Sequence, residues 1–266
     1  MIGAVIGDIA GSVYEFDRIK TKDFVLFGDY HGEQCEFTDD SVMTLAVANA
    51  LLAANGDWSS LPHLADVHMH ALAHKYPACD WGGRFAMWLF LDDPAPYNSY
   101  GNGSAMRVSP VAYAAASLEE ALFLSDQVTQ ITHNHPEGMK GARATAACIY
   151  LARTGHTKEE IRAHVRAQYY PLAETLDEIR PGYSFNETCQ FTVPQAIQAF
   201  LESNDFEDAI RNAVSLGGDS DTLAAITGSI AEAFYGVPEE LRLAALTFLT
   251  PDLRDIVEQF EEKYGR

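Results

Sequence analysis

Thr38, Asp39 and Asp40 stand directly ahead of a run, Ser41 to Ala54, that is apolar almost all the way round. Helix capping is one use for such residues: a threonine accepts a backbone N–H, and acids in the first turn face the positive end of the helix dipole. Metal coordination is another. Carboxylates and a threonine hydroxyl are hard oxygen ligands, which select Mg²⁺, Mn²⁺ or Ca²⁺ over Zn²⁺. A second stretch, SLGGDSDTLAAITGSIAEAF from Ser215 to Phe234, repeats the arrangement, with Asp219, Asp221 and Thr222 opening a small-residue helix. Taken alone, it is a glycine turn followed by a cap. Taken together, Asp39, Asp40, Asp219 and Asp221 carry four negative charges, which two divalent cations would neutralise. Without metal, packed carboxylates raise one another's pKa values and destabilise the fold. The dinuclear reading requires that the two helix starts meet.

Two further stretches offer polar groups to a ligand. In SYGNGSAMRVSP, the tight loop Gly101–Asn102–Gly103 precedes a helix that starts near Ser104, and backbone N–H groups at such a start attract anions. In THNHPEGMKGARATAA, His133 or His135 is placed to hold a phosphate or ribose hydroxyl, although a histidine in such a loop also serves as an ordinary hydrogen-bonded residue. His70 and His74 lie one helical turn apart but lack the glutamate of an HExxH zinc site, so that run reads as plain helix.

The elements that must position these groups are helices. Helical spacing marks Ser41 to Ala54, His63 to Tyr76, Ser104 to Ala116, Leu118 to Gln130, Gly138 to Arg153 and Lys158 to Gln168. It continues over Pro194 to Glu202, Phe206 to Ser215, Asp221 to Phe234, Glu239 to Thr247 and Asp252 to Lys263. DFVLF, Asp23 to Phe27, is the best candidate for a short extended segment, and MIGAVIGDIAGSVYEF reads as a first core helix, since it lacks a basic n-region and is broken by Asp8. No fixed-period repeat or low-complexity linker divides the chain, so one all-α domain over residues 1–266 is expected. With 266 residues, nearly half of them hydrophobic, a sizeable core is available and disorder is excluded. A net charge of -20 argues against nonspecific nucleic-acid binding and against anionic membranes, and an anionic substrate would need local positive charge at the site. Cys35, Cys79, Cys148 and Cys189 show no CxxC spacing, and with no bilayer-length apolar run they point to reduced thiols in a cytoplasmic protein, for which a monomer is the default expectation and the oligomeric state stays open.

In chain order, GDIAGSVYE, FTDDSVM, SYGNGSAMRV, THNHPEGMKGA and LGGDSDTLAAITG resemble the ADP-ribosylglycohydrolase family, of the dinitrogenase-reductase-activating and ADP-ribosylhydrolase type. The match runs from Ile2 to about Val237, and YSFNETCQFTVPQAIQAFLES looks like the bacterial branch. The resemblance implies an all-α fold with two Mg²⁺ or Mn²⁺ ions in a cleft, and cleavage of the C1″ bond of an ADP-ribosylated protein or small molecule. It implies Thr38, Asp39, Asp40, Asp219, Asp221 and Thr222 as ligands, with Glu15 near the metals in acid–base chemistry. Ser99, Tyr100, Gly101 and Asn102 match a loop that holds the diphosphate and distal ribose, His133 helps to hold ADP-ribose, and the WGG turn, Trp81 to Gly83, looks like another diphosphate contact. His135–Pro136–Glu137 departs from the small residues of serine-directed members, and Cys189 reads as structural. The motifs leave the leaving group open: arginine, serine, a nucleic-acid base or O-acetyl-ADP-ribose. Two alternatives keep part of this reading. One is a two-metal phosphohydrolase of nucleotide diphosphates; the other is a non-catalytic ADP-ribose binder.

Overall fold

The computed structural model describes residues 1–91 and 94–265. Its helices are α1 (Ile2–Ser12), α2 (Asp39–Ala54), α3 (Leu61–Lys75), α4 (Gly83–Leu89), α5 (Gly103–Met106), α6 (Ser109–Ala114), α7 (Leu118–Thr129) and α8 (Pro136–Arg153). They continue as α9 (Lys158–Gln168), α10 (Leu176–Ile179), α11 (Cys189–Leu201), α12 (Phe206–Val214), α13 (Ser220–Tyr235), α14 (Glu239–Phe248) and α15 (Pro251–Tyr264). The β structure among the described residues is one hairpin, β1 (Asp29–Tyr30) antiparallel to β2 (Glu33–Gln34), with Asp29 opposite Gln34, and an isolated antiparallel bridge between Gly101 and Thr188. The expected all-α class is found, in one layered helical body.

Two helices run through the middle. On α2 the residues Asp40 to Ala48 are all buried, and on α13 the residues Ser220 to Ala231 are all buried. A helix that is apolar all round has to be wrapped on every side. Accordingly α3 and α15 pack on α2, while α1, α8, α11 and α12 pack on α13. The outer helices show the complementary pattern; α9 buries only Ile161 and Val165 and starts with a Thr157/Glu160 capping box.

The closest packing is between α1 and α13, and glycine makes it possible. Gly3, Gly7 and Gly11 recur every four residues along one face of α1. A Cβ on Gly7 would stand 2.0 Å from the Ala224 carbonyl oxygen, and one on Gly11 would stand 2.5 Å from the Asp221 Cα. Backbone therefore lies against backbone just where Asp8 and Asp221 belong to facing helices.

Several elements differ from the sequence expectation, each for a local reason. The Ser104 to Ala116 segment is two helices, α5 and α6, broken at Arg107–Val108, where Pro110 takes the second position of a fresh first turn. Helix α11 begins at Cys189 and carries Pro194 in its interior. Asp23 to Phe27 forms no strand: its carbonyls are taken by side chains, with Tyr14 Oη donating to Val25 O (3.0 Å) and Arg211 Nη1 to Phe24 O (2.8 Å). The hairpin falls just after it. Helix α4 lies in a stretch that reads as a Gly-rich joint. No described helix is long and apolar enough to cross a membrane, and all four cysteines are free.

Candidate active site

The two Asp-rich helix starts meet. Thr38 is the N-cap of α2, with extended backbone, and its Oγ1 accepts the Asp40 N–H at 3.3 Å. Thr222 in the first turn of α13 donates its hydroxyl to Asp40 Oδ2 at 3.1 Å, and Thr38 Oγ1 lies 3.5 Å from Asp221 Oδ2. One carboxylate oxygen from each of Asp8, Asp40 and Asp221 falls within 4.8 Å of the others, and so does one from each of Glu15, Asp219 and Asp221. Asp39 and Asp40 line one cavity with Asp219, Asp221, Thr222 and Glu15.

Capping does not account for these acids. Thr38 already caps α2, and Asp219 precedes α13 without a side-chain cap bond. Asp40 Oδ1 and Asp221 Oδ1 are buried with no hydrogen-bond partner among the described residues. Burial raises the pKa of Asp39, Asp40 and Asp221 well above the ordinary carboxylate range, and the neighbouring carboxylates add to it. Burial likewise lifts Asp219 to about 6, and burial together with Asp221 and Asp80 lifts Glu15 to about 8. Orphaned, like-charged oxygens converging on one point are the donor set that a hard cation needs.

Asp8, to which sequence reading gave no role, organises this cluster from below. It is fully buried on α1 and receives four donors: Thr38 N (2.9 Å), Thr38 Oγ1 (2.6 Å), Ser41 N (3.1 Å) and Ser41 Oγ. With its acceptor sites so engaged, Asp8 serves to clamp the start of α2 rather than to hold an ion. The available signal was a lone acid inside an apolar helix. Glu15 follows α1 in a turn whose neighbour Tyr14 is buried, bonded to Val25 O and packed edge-on to Phe24 at 5.0 Å.

From the acids the cavity, about 560 Å³, runs past Gly83, Ser99, Tyr100, Gly101, Asn102 and His133. Asn102 Nδ2 donates to Asp219 Oδ2 at 2.7 Å, tying this loop to the acid cluster, and Cys189 Sγ donates to Gly101 O at 3.1 Å from beneath. The Cys189 thiol is thus a structural prop. The loop amides are not free for an anion as its glycines suggest: Gly101 N–H is given to Ser99 Oγ and Asn102 N–H to Glu187 O. Positive charge comes from elsewhere. Arg107 is 1% exposed and lines the cavity without a carboxylate partner, and Arg84 stands at the cavity wall, 5.0 Å over the Tyr97 ring. Burial lowers Arg107 to about 10, which leaves it charged at neutral pH.

Arg107 also decides how His133 presents itself. Its Nη2 donates to Thr132 Oγ1 at 2.6 Å, and that oxygen lies 2.7 Å from His133 Nδ1. A guanidinium only donates, and among the described residues His133 Nδ1 is the one acceptor within reach of the buried Thr132 hydroxyl, which assigns that proton to Nδ1 and the ring proton of the neutral imidazole to Nε2. Burial holds the His133 pKa well below its ordinary value, which keeps the ring neutral. Other histidines behave as expected of plain helix residues: His74 Nδ1 sits 2.7 Å from His70 O within α3. His135 is the N-cap of α8, accepting the Glu137 N–H.

Comparison with known proteins agrees with this geometry. The family model described as ADP-ribosylglycohydrolase matches residues 1–266. The chain belongs to the ADP-ribosylglycohydrolase family. It is 29% identical to the ADP-ribosylarginine hydrolase Tri1 of Pseudomonas putida, over 89% of this chain and 70% of that protein. It is 27% identical to the ADP-ribosylhydrolase ARH3 of Homo sapiens, over 90% of this chain and 85% of that protein. It is also 27% identical to the ADP-ribosyl-[dinitrogen reductase] glycohydrolase of Rhodospirillum rubrum, over 90% and 85%. A solved ADP-ribosylglycohydrolase-related protein complex shares the fold, with a TM-score of 0.71 at 22% identity, covering 100% of this chain and 96% of that one. As an ADP-ribosylglycohydrolase the chain is a hydrolase of glycosidic bonds to ADP-ribose, and its buried acids are groups able to hold a metal.

Proposed function

We propose that this ADP-ribosylglycohydrolase binds two divalent cations, Mg²⁺ or Mn²⁺, through Thr38, Asp39, Asp40, Asp219, Asp221 and Thr222, and hydrolyses the C1″ bond of an ADP-ribosylated protein or small molecule. The observation that carries the proposal is the pair of orphaned buried oxygens, Asp40 Oδ1 and Asp221 Oδ1, on facing helix starts. Bound cations would supply Lewis acidity at the distal ribose, where charge develops as in other oxocarbenium-like cleavages.

The remaining steps fall to the chain's own side chains. His133 offers its Nε2–H, and Arg107 its buried charge, to the diphosphate, which supplies the local positive potential that a chain of net charge -20 otherwise lacks. Ser99, Tyr100, Gly101 and Asn102 shape the loop beside it, with the Tyr100 ring exposed for stacking and Gly83 flanking the cavity opposite. Glu15, which burial and then the surrounding acids keep protonatable near neutral pH, moves the proton between the attacking water and the leaving group.

Product analysis tests the reading, since glycohydrolysis releases intact ADP-ribose and diphosphate hydrolysis releases AMP. Glu15→Gln is expected to lower kcat by about 10²–10⁴-fold, the usual worth of a positioned acid or base, while Mn²⁺ binding is still detected by calorimetry, since the six proposed ligands are kept. Unchanged turnover with intact metal binding would remove Glu15 from the mechanism. Thr132→Val is expected to weaken ADP-ribose binding by about tenfold, the effect of one lost polar contact. In the wild type, ¹⁵N imidazole shifts should report His133 protonated on Nε2; an Nδ1–H form would contradict the relay from Arg107.

A further inference from the structure

Glu15 sits in a loop that leaves α1 at Ser12 and is fixed on both sides of the acid. Tyr14 is the first anchor: its carbonyl accepts from Ser220 Oγ at 3.2 Å, and its hydroxyl reaches Val25 O. Lys20 is the second. Its ammonium donates to Tyr183 O at 2.7 Å and to Leu216 O, and among the described residues it is paired with no carboxylate. Leu216 lies just past the end of α12, where carbonyls carry partial negative charge, so a lysine suits it. The backbones touch as well: Gly217 has φ 61°, and a Cβ there would stand 2.5 Å from Ile19 O. Beyond Lys20 the chain is fastened to α12, with Lys22 paired to Asp208 and Arg211 Nη1 donating to Lys22 O (2.9 Å) and Phe24 O (2.8 Å). Between the two anchors Phe16, Asp17 and Arg18 are exposed. Glu15 also lines a second cavity, about 690 Å³, with Phe16, Asp80 and Phe185. Phe16 stacks on Phe185 there at 5.7 Å, but at 77% exposure its ring gains little from burial and restrains the loop weakly.

We propose that Lys20 is a positioning residue for this hydrolase: its ammonium ties the loop that carries Glu15 to the turn that carries Asp219, and so sets the acid in place beside the metal ligands. The proposal rests on the reading of Glu15 as the acid–base group. Hydrogen bonds from an ammonium are stronger than neutral ones, and here one ammonium gathers three segments at the cavity. These are the Glu15 loop, the Tyr183–Thr188 stretch with Glu187 and Thr188 in the cavity wall, and the Leu216–Asp219 turn. The turn is held by bonds of its own: Leu216 N–H goes to Ala213 O, Gly217 N–H to Val214 O, and Asp219 Oδ2 accepts from Asn102 Nδ2 at 2.7 Å. Loss of the ammonium therefore frees the loop and leaves the turn. Proton transfer needs heavy atoms at about 2.6–3.2 Å, so a displaced Glu15 fails while the metal ligands stay where they are. Arg107 and His133 are held through Thr132, with no part for Lys20, so affinity for the ADP-ribose portion should not depend on it.

Lys20→Met keeps the length of the side chain and removes both bonds. The test measures release of ADP-ribose by the metal-loaded protein from arginine-modified and serine-modified peptides. Lys20→Met is expected to lower kcat by about 10²-fold, the cost of a group displaced by ~1 Å, with KM within about threefold of the wild type. Lys20→Arg, which can still donate to both carbonyls, is expected to bring kcat back to within about fivefold of the wild type. A double-mutant cycle separates positioning from general structure. In a Glu15→Gln background Lys20→Met is expected to change the remaining kcat by no more than about threefold, because the group it positions is gone. The same loss in both backgrounds, a loss expressed in KM alone, or a Tm lower by more than about 10 °C would each overturn the proposal. Unchanged kcat in Glu15→Gln by itself is a failure of the acid–base reading, and trypsin then decides the tether separately. Arg18 is an exposed cleavage site between the two anchors. Lys20→Met is expected to speed cleavage after Arg18 by about tenfold, with cleavage elsewhere unchanged, since local opening is what the tether suppresses. Equal rates after Arg18 in the two proteins would overturn it.

Discussion

Asp40→Asn and Asp221→Asn are each expected to abolish turnover while raising the Tm of the metal-free protein. Loss of function together with gain of stability is the signature of a ligand set, and capping predicts neither. Asp40 lies in the first turn of α2 behind its cap Thr38, where an acid gains about 0.3–1 kcal/mol from the helix dipole, so a purely structural Asp40 would lose a little stability and no activity on the change. The shape is kept as well: in Asp40→Asn the side-chain carbonyl still accepts from Thr222 Oγ1, which in the wild type gives its proton to Asp40 Oδ2 at 3.1 Å. What changes is ionisation. The nearest oxygens of Asp8, Asp40 and Asp221 lie within 4.8 Å, and two charges at such a distance would repel by roughly 3 kcal/mol at an effective dielectric constant of about 20. The fold therefore disfavours the ionised form that the unfolded chain adopts freely, and asparagine, which does not ionise, relieves part of that cost. A relief of about 1 kcal/mol shifts Tm upward by roughly 2–4 °C in a chain of this size. The same amide is a poor ligand for Mg²⁺ or Mn²⁺, and kcat/KM should fall by at least about 10³-fold, or ~4 kcal/mol. Turnover within tenfold of the wild type would return both helix starts to a structural role. A lower metal-free Tm would show that the acids stabilise the fold.

What was legible in the sequence was local. Thr38–Asp39–Asp40 and Asp219–Ser220–Asp221–Thr222 announce themselves because oxygen ligands collect at helix starts, and the helices behind them follow from apolar runs that the fold wraps on all sides. That the two starts meet was not legible, because it depends on α1 lying backbone to backbone on α13 at Gly7 and Gly11. Asp8 was missed for the same reason: its partners Thr38 and Ser41 are about one helix and one hairpin away in the chain. Arg107 read as one residue of a helix; only the break between α5 and α6 and its burial under Thr132 give it a role. The glycine loop misled in the other direction, since free amides at Gly101 and Asn102 could be expected until their acceptors, Ser99 Oγ and Glu187 O, were located. The second cavity joins Phe16, Asp80 and Phe185 from three distant segments and has no sequence signature.

The metal-free protein is expected to lose stability as pH rises from 6.5 to 8, and Mg²⁺ or Mn²⁺ is expected to reverse that slope. The sign follows from which state binds protons. Asp219 titrates near 6 in the folded protein against 3.8 ordinarily, Glu15 near 8 against 4.5, and Asp39, Asp40 and Asp221 lie well above 3.8. In each case the folded pKa is the higher one. Relative stability is therefore full below the unfolded pKa and is lost as pH climbs through the folded one. Above pH 6.5 the unfolded acids are fully ionised while Glu15 still holds a proton in the fold, so unfolding releases protons and alkali favours it. His133 acts in the opposite direction, because burial keeps it neutral in the fold, but that contribution fades once pH passes 6.5. A cation at 100 times its Kd adds about 2.7 kcal/mol to stability, and it binds only deprotonated oxygens, so its benefit grows with pH. The chain's net charge of -20 also repels more strongly as pH rises, and salt separates the two origins. About 0.5 M NaCl screens exposed charges but leaves a buried cluster nearly untouched. Melting curves at pH 6.5 and 8, with EDTA or Mn²⁺ and with added NaCl, read this directly. A metal-free Tm that is flat with pH in high salt, or a Mn²⁺ shift of the same size at both pH values, would mean that the buried acids are not the metal site. Asp40→Asn should reduce the Mn²⁺ gain, since it removes one of the oxygens on which proton and cation compete.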